Sequence, residues 1–352
     1  MSASDYIIGG NDEHGVNPPT AGKRTPIMPY LNRSIYENEF NRPAKIYYFI
    51  SALRCGFNVF DVHPELYDVS ISTRVTRANS ARLAILTTFA YNAFGSGQTF
   101  NSVRGLVGYY SAQNPYMARS RELTEDVFLG ISENSLQTRG LGITTISDVG
   151  ILESVRMPST LMECGYMTNL REGRLMLDPT WRKSIGFAAT QGVCNFFGEP
   201  YIAEGNPNSY PVIRRGSRNN YVKITQYYLI LYGYGLTADG IFGANTESTV
   251  KQFQTDNGLT ADGIVGRRTW SKLLLNDPSA SVLRLGSRGT PVYYLQMKLL
   301  SKLYPLGNAD GIFGTNTASA VRAFQTESGL IADGIVGPLT WAAINTLDSP
   351  RN

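Results

Sequence analysis

Histidine is nearly missing from this chain: 352 residues contain two, His14 and His63. That scarcity matters wherever imidazole is needed to ligate metal or move protons. Cysteine is sparse as well. Cys55, Cys164 and Cys194 form an odd, widely spaced set with no CxxC, which argues against a disulfide framework and against a thiolate zinc site. No run of about 18 apolar residues occurs, so no membrane-spanning helix is expected. The opening MSASDYIIGG lacks the basic-then-apolar pattern of a secretory signal. No G-x-S-x-G elbow is present and no histidine lies near Cys164 in sequence, which disfavours a serine or cysteine nucleophile. Lys+Arg exceeds Asp+Glu by 32 to 28, a net +4 too small and too scattered to imply nucleic acid, though compatible with an anionic polymer.

What is present suffices for packed domains. Apolar residues make up 42% and charged residues 17%, a composition that supports a core and excludes wholesale disorder. The length suggests two or three domains. The clearest feature is an internal repeat. DGIFG recurs at 239–243 and 310–314, and DGIVG at 262–266 and 333–337. VKQFQTDNGL and VRAFQTESGL lie between them, and Trp270 and Trp341 follow. These pairs stand 71 residues apart, whereas Gly216 and Gly286 of RRGSR and RLGSR stand 70 apart. One residue is therefore inserted in the second copy, near LYPLGNAD.

Each copy reads as a small helical module. Val and Phe fall on one face of NTESTVKQFQTDNG and NTASAVRAFQTESG. Asn245 and Asn316 suit helix starts, and Gly258 and Gly329 suit helix stops. The DG pairs suit turns, where Asp bonds its own backbone and Gly takes positive φ. Both copies resemble the peptidoglycan-binding module of bacterial cell-wall hydrolases, a three-helix fold. The resemblance covers nearly all of 212–346 and implies peptidoglycan as partner. The motif's Asp, Gly and Trp are expected to maintain turns and core rather than touch ligand. The repeats are delimited as 212–275 and 282–346, with the polar EGNPNSYP at 204–211 as a linker and NDPSAS at 276–281 separating the copies.

Residues 1–203 alternate between strand-like and helix-like stretches. DYIIGG, FNVFDV, LAILTTFA, LVGYY and STLMECGY suit strands. FNRPAKIYYFISALRCG, SISTRVTRANSAR, SRELTEDVFLGISENSLQ and DPTWRKSIGFAATQGVCNFFG suit helices. The alternation predicts an α/β layer fold with a mostly parallel sheet flanked by helices, its site at the carboxyl ends of the strands. His14, His63-Pro64-Glu65, Ala90-Tyr91-Asn92-Ala93 and Glu163 follow or end those strands, and Glu37 opens the first helix. Histidine and carboxylates converging there suggest a zinc hydrolase with three protein ligands and a water.

The stretches HGVNPPTAGKRTP, YENEFNR, RVTRAN, TTFAYNAFGSG, RGLVGYY and MPSTLMECGYMTN, in this order, resemble the zinc-dependent N-acetylmuramoyl-L-alanine amidases of bacteria and their phages, the type 3 group. The resemblance covers about residues 5–200. It implies zinc held by His14 and by Glu37, four residues before Asn41, with Glu163 of P-x-x-L-x-E working on the water and the leaving amine. The family's third ligand, a histidine, falls on Ala90. Alanine has no donor atom, so zinc is expected to bind weakly or not at all, and hydrolysis to be impaired. A single lost ligand, with His14, Glu37 and Glu163 retained, reads as a recent or introduced change.

The neighbouring candidates receive blander readings. His63 is expected to be a partly exposed loop histidine, and Glu39 is less suited than Glu37 by its spacing to Asn41. Arg74, Arg77 and Asn79 are expected to support the sheet, Cys164 to pack beside the site, and Asp12 and Glu13 to back His14. Two functions stand side by side. One is an amidase cutting the bond between N-acetylmuramic acid and L-alanine, held on the wall by two repeats. The other is a pseudo-amidase that binds wall without cutting, in a spore, phage or wall-associated assembly. Without a secretory signal, a phage lysin or a spore protein made in the mother cell is the expected setting.

Overall fold

A computed structural model describes residues 2–15, 23–134, 140–275 and 281–351. The chain divides into two compact units. The first takes 1–28, 34–176 and 180–203, and the second takes 204–352 with the short segments 29–33 and 177–179. Among the described residues no helix is long and apolar enough to cross a membrane.

The first unit is built on six strands: β1 (Ile7–Asp12), β2 (Asn58–Asp61), β3 (Ile85–Asn92), β4 (Leu106–Tyr110), β5 (Gly140–Thr145) and β6 (Ser159–Tyr166). Their order is β2-β1-β3-β6-β4-β5. All neighbours are parallel except β4 and β6, so the sheet is mixed but mainly parallel. The central β3 and β6 are buried along nearly their whole length, as strands covered on both faces must be. Helices α1 (Asn38–Arg54) and α3 (Met117–Asn134) cover one face. Tyr48 of α1 bonds Thr87 of β3 at 3.3 Å, and Thr124 of α3 bonds Thr160 of β6 at 2.9 Å; Thr87 and Thr160 are register partners. Helix α6 (Pro179–Phe197) packs on both, with Thr190 bonding Tyr48 O at 3.2 Å. A β-carbon at Gly192 would strike Asp126 O of α3, so glycine permits that approach. Helices α2 (Ile71–Ser80) and α4 (Gly150–Glu153) cover the other face around a cluster that includes Val62, Ala78, Leu86, Ala90, Ile151 and Leu161. Helix α5 (Leu170–Leu175) follows β6.

Three elements of the first unit are absent from the sequence reading, β5, α4 and the six-residue α5. Strand β5 is an edge strand, exposed or half-buried throughout, so it carries no apolar alternation. Helix α4 is a single turn, too short for a periodic signal.

The second unit holds α7 (Asn220–Leu231), α8 (Ala244–Asp256) and α9 (Arg267–Leu274), then α10 (Thr290–Ser301), α11 (Thr315–Glu327) and α12 (Pro338–Ile344). One polar hub occurs four times. Gln226 Nε2 donates to Asp239 Oδ1 (2.7 Å), Ile241 O (3.2 Å) and Thr246 Oγ1 (3.1 Å), while its Oε1 accepts from Gly240 N (2.8 Å). Gln254, Gln296 and Gln325 do the same with Asp262, Asp310 and Asp333 and with Thr269, Thr317 and Thr340. The aspartates of the repeated motif are thus spent on tying each turn to its helix. Trp270 and Trp341 are buried, their indole N–H groups donating to Pro211 O (2.9 Å) and Ser281 O (2.8 Å). The inserted residue lies before Asp310: Gln226 and its aspartate are 13 residues apart, Gln296 and its aspartate 14.

Several local expectations are revised. Gly243 and Gly314, not Asn245 and Asn316, cap α8 and α11, while Gly258 and Gly329 take positive φ just past their ends. Residues 204–211, read as a linker, are built into the second unit. Tyr210 is buried with its ring 4.7 Å from Trp270, Pro211 accepts the indole bond, and Tyr228 OH donates to Glu204. Residues 276–280 of the NDPSAS segment lie outside the described residues.

Replacing Gln254 by Ala strands a buried Gly263 N–H and removes three donor contacts. An unmade buried hydrogen bond costs about 1–3 kcal/mol. Gln254→Ala is therefore expected to lower the unfolding temperature of the second unit in calorimetry, while the first unit melts as before.

Candidate active site

The carboxyl ends of β1, β3 and β6 and the start of α1 bring polar side chains to one edge of the sheet. His14 follows β1 with φ of 60°, a left-handed conformation that turns the chain out of the strand. Glu37 precedes α1. Its Oε1 accepts from Asn41 Nδ2 (3.0 Å) and from Tyr91 N (2.9 Å), which leaves Oε2 toward His14 Nε2 at 3.8 Å. The four-residue Glu37–Asn41 spacing is thus one helical turn closed by a side-chain bond. Glu39, by contrast, accepts Tyr36 N at 2.9 Å, in the segment just before the helix. Ala90 on β3 is the register partner of Glu163 on β6, so both side chains face the same way. Glu163 Oε2 is shielded from solvent and, among the described residues, has no hydrogen-bond partner.

Burial dominates the electrostatics. It pushes Glu163 well above the ordinary carboxylate range, with the neighbouring Glu37 charge adding to the effect. Glu37 is raised to about 7, burial outweighing its two hydrogen bonds. His14 is lowered to about 4 by burial and by Lys23, so at neutral pH it is an uncharged imidazole. Glu13, whose Oε2 lies 3.9 Å from His14 Nε2, is also raised by burial.

Beneath this edge lies a buried ionic network that sequence spacing did not reveal. Lys45 of α1 is wholly buried and donates to Asp12 (2.5 Å), Asp61 (2.7 Å) and His63 O (2.8 Å). Arg42 Nε stands 3.1 Å from Asp12. His63 is not a partly exposed loop residue. It is fully buried, Nδ1 3.1 Å from Asp12 O and Nε2 2.9 Å from Tyr67 O, so both ring nitrogens are engaged. Arg74 holds the end of β1 through Asn11 Oδ1 (3.2 Å) and Asp12 O (2.8 Å). Arg77 pairs with Glu65 at 2.6 Å, and Asn79 bonds Ser154 O and Arg156 N. Asp12 therefore belongs to the Lys45 network, and Glu13 stands beside His14. Cys164 is buried, its Sγ 3.4 Å from Met162 O.

A catalytic zinc needs three protein ligands and an open fourth position. His14 and Glu37 offer two donors on facing atoms, and Ala90 offers none. Among the described residues no group of three His, Cys, Asp or Glu side chains has metal-binding spacing. The donor set does not fit that metal centre.

Glu163 gives this edge a testable signature. An acid raised by folding binds its proton more tightly in the native state, so stability falls as pH climbs from the ordinary value of 4.5 toward the folded one. Glu163→Gln removes that penalty. In urea unfolding the variant is expected to match the parent near pH 4.5 and to be the more stable protein at pH 8; equal stabilities at pH 8 would show the carboxyl is not held protonated.

Comparison with known proteins yields two family matches. The N-acetylmuramoyl-L-alanine amidase family model matches residues 21–195, and a model described as "Putative peptidoglycan binding domain" matches 218–273 and 288–344. The chain is 33% identical over 119 residues to a "Probable N-acetylmuramoyl-L-alanine amidase" of Bacillus licheniformis, a match covering 32% of this chain and 31% of that one. It is 37% identical over 120 residues to N-acetylmuramoyl-L-alanine amidase CwlM of Mycobacterium tuberculosis, covering 31% and 28%. The chain thus spans under a third of the length of these two curated relatives. Among solved structures, an N-acetylmuramoyl-L-alanine amidase from Clostridium difficile 630 aligns with 22% identity and a TM-score of 0.45, over 55% of this chain and 97% of that one.

Proposed function

Because residues 21–195 belong to the N-acetylmuramoyl-L-alanine amidase family and two peptidoglycan-binding repeats follow them, we propose that this protein binds the bacterial cell wall and addresses the muramic acid–L-alanine amide with an impaired catalytic centre. The observation that carries this reading is Ala90. It stands opposite Glu163 at the carboxyl edge of the sheet, at the position to which the family resemblance assigns the third zinc ligand. What the remaining residues supply is positioning and proton storage. Burial and the Glu37 charge raise the Glu163 carboxyl well above the ordinary carboxylate range, which favours its protonated form, and a protonated carboxyl there can hand a hydrogen bond to the amide of a bound substrate. Glu37, held by Asn41 and the Tyr91 N–H, fixes the mouth of the site against β3. The repeats raise the local concentration of wall around this edge.

A second reading, a wall-binding pseudo-amidase, draws support from the surroundings of Ala90. Its side chain belongs to a buried apolar cluster with Leu86 and Leu161, against which Tyr109 packs, so the position serves as core. Purified walls test what both readings share. The full chain is expected to sediment with walls and to leave their turbidity unchanged; sustained clearing by the unmodified chain would refute the impairment.

A further inference from the structure

The two repeats meet along a seam. Asn257 at the end of α8 accepts both Thr290 N and Thr290 Oγ1 at 2.9 Å, and the Tyr232 and Tyr293 rings stand edge to face with centroids 6.0 Å apart. Gly289, with φ of 102°, is required there, since a β-carbon would come 2.6 Å from Asn257 Oδ1. The seam encloses a cavity of about 180 Å³ lined by Tyr232, Tyr234 and Asp256 of the first repeat and Arg288, Tyr293 and Asp310 of the second. Two carboxylates against one guanidinium give it a net negative lining.

The chain also displays what such a place receives. Tyr234 OH donates to Asp256 Oδ2 at 2.7 Å, and the equivalent pair in the second repeat is Tyr304 OH donating to Glu327 Oε2 at 2.7 Å. The second pair is occupied. The Arg351 guanidinium lies 4.0 Å from the Tyr304 ring centroid and pairs with Glu327 at 2.6 Å, its side chain 15% exposed. In the first repeat Asp256 Oδ1 accepts only the neutral amide of Gln252 at 2.8 Å, and no cation of this chain pairs with Asp256 among the described residues; the half-buried Tyr234 and Asp256 face the cavity. A cation seated on a tyrosine face and a carboxylate is a favourable arrangement in a partly desolvated site.

We propose that the cavity between the repeats binds the free side-chain ammonium of the diamino acid in a peptidoglycan stem peptide, seated on Tyr234 and Asp256 as Arg351 is seated on Tyr304 and Glu327. The inference rests on the reading that the repeats bind peptidoglycan, and deepens it. In a cross-linked stem that nitrogen is an amide, with no charge to pair and an added acyl group to accommodate. The tandem repeats therefore select uncross-linked stems, the first repeat supplying Tyr234 and Asp256 and the second completing the cavity with Arg288, Tyr293 and Asp310.

The test uses the full chain and two soluble muropeptide monomers, one with its diamino acid side-chain amine free and one with that amine N-acetylated, titrated calorimetrically beside a sedimentation assay on purified sacculi. The free-amine form is expected to bind about tenfold tighter or more, the scale of a charge-assisted bond. Asp256→Asn is expected to remove that discrimination, and Glu327→Gln to leave it intact. Equal affinity of the parent for both forms, or discrimination that survives Asp256→Asn or falls equally with Glu327→Gln, overturns the site while sedimentation with sacculi still upholds wall binding. Absence of binding to both sacculi and muropeptides overturns wall binding and the site together.

Discussion

Placing histidine at position 90 is expected, on the proposed reading, to give the full chain tight zinc binding and the power to clear purified walls. The backbone at that position is already set. Ala90 sits in regular register opposite Glu163, and the next residue's N–H is tied to Glu37 Oε1 at 2.9 Å. A histidine there would join His14 and Glu37 as a third donor on the edge where those two stand 3.8 Å apart. Outer-shell changes in metal sites already cost 10–100-fold. Regaining a direct ligand should therefore raise zinc affinity by about 100-fold or more, with turbidity loss appearing alongside. Two controls separate metal binding from chemistry. Adding Glu163→Gln to Ala90→His should keep zinc and stop clearing, whereas adding His14→Ala should lose both. If Ala90→His neither binds zinc nor clears walls, the apolar packing around position 90 has become the fold's settled state, and the pseudo-amidase reading stands.

The second large effect lies in the first unit's stability. Lys45 is wholly buried between Asp12 and Asp61, and Lys45→Met would strip both carboxylates of their shared cation, with Arg42 and His63 as the remaining partners of Asp12. Removing one member of a buried pair costs about 3–5 kcal/mol. Urea unfolding at pH 7 should show a loss of that order. Asp12 carries the pH dependence. Lys45, His63 and Arg42 hold its carboxyl well below its ordinary value of 3.8, overcoming burial. Its contribution is therefore present above that value and is lost as pH falls toward the folded one. The gap between parent and Lys45→Met should be full at pH 7 and narrow below pH 4. Adding Asp12→Asn should recover part of the loss, since the charge left stranded is then gone.

Much of this was legible in the sequence because it depends on short spacings. The Glu37–Asn41 turn is one helical period, and the repeated DGI motif announced its four turns before the Gln hub behind them was visible. The alternation of apolar runs in residues 1–203 carried the sheet and its two helical layers. What stayed hidden depends on distant pairs. Lys45 meets Asp12 and Asp61 from 33 and 16 residues away, and no local pattern links a helix lysine to two strand-end carboxylates. His63 looked like a loop residue because its partners are carbonyl oxygens, which sequence does not distinguish. Strand β5 escaped because an exposed edge has no buried face to imprint on its residues. The cavity between the repeats escaped because equivalent positions differ in occupancy rather than in type: Tyr234 and Tyr304 are the same residue, but Arg351 covers only the second.

The central proposal is that His14 and Glu37 alone do not hold a catalytic zinc in this chain. The direct test is zinc content after dialysis of the unmodified full chain beside Ala90→His, under matched metal buffers. The account predicts well under one zinc per chain for the unmodified protein and close to one for the variant. One tightly held zinc in the unmodified chain, lost on His14→Ala, would contradict it.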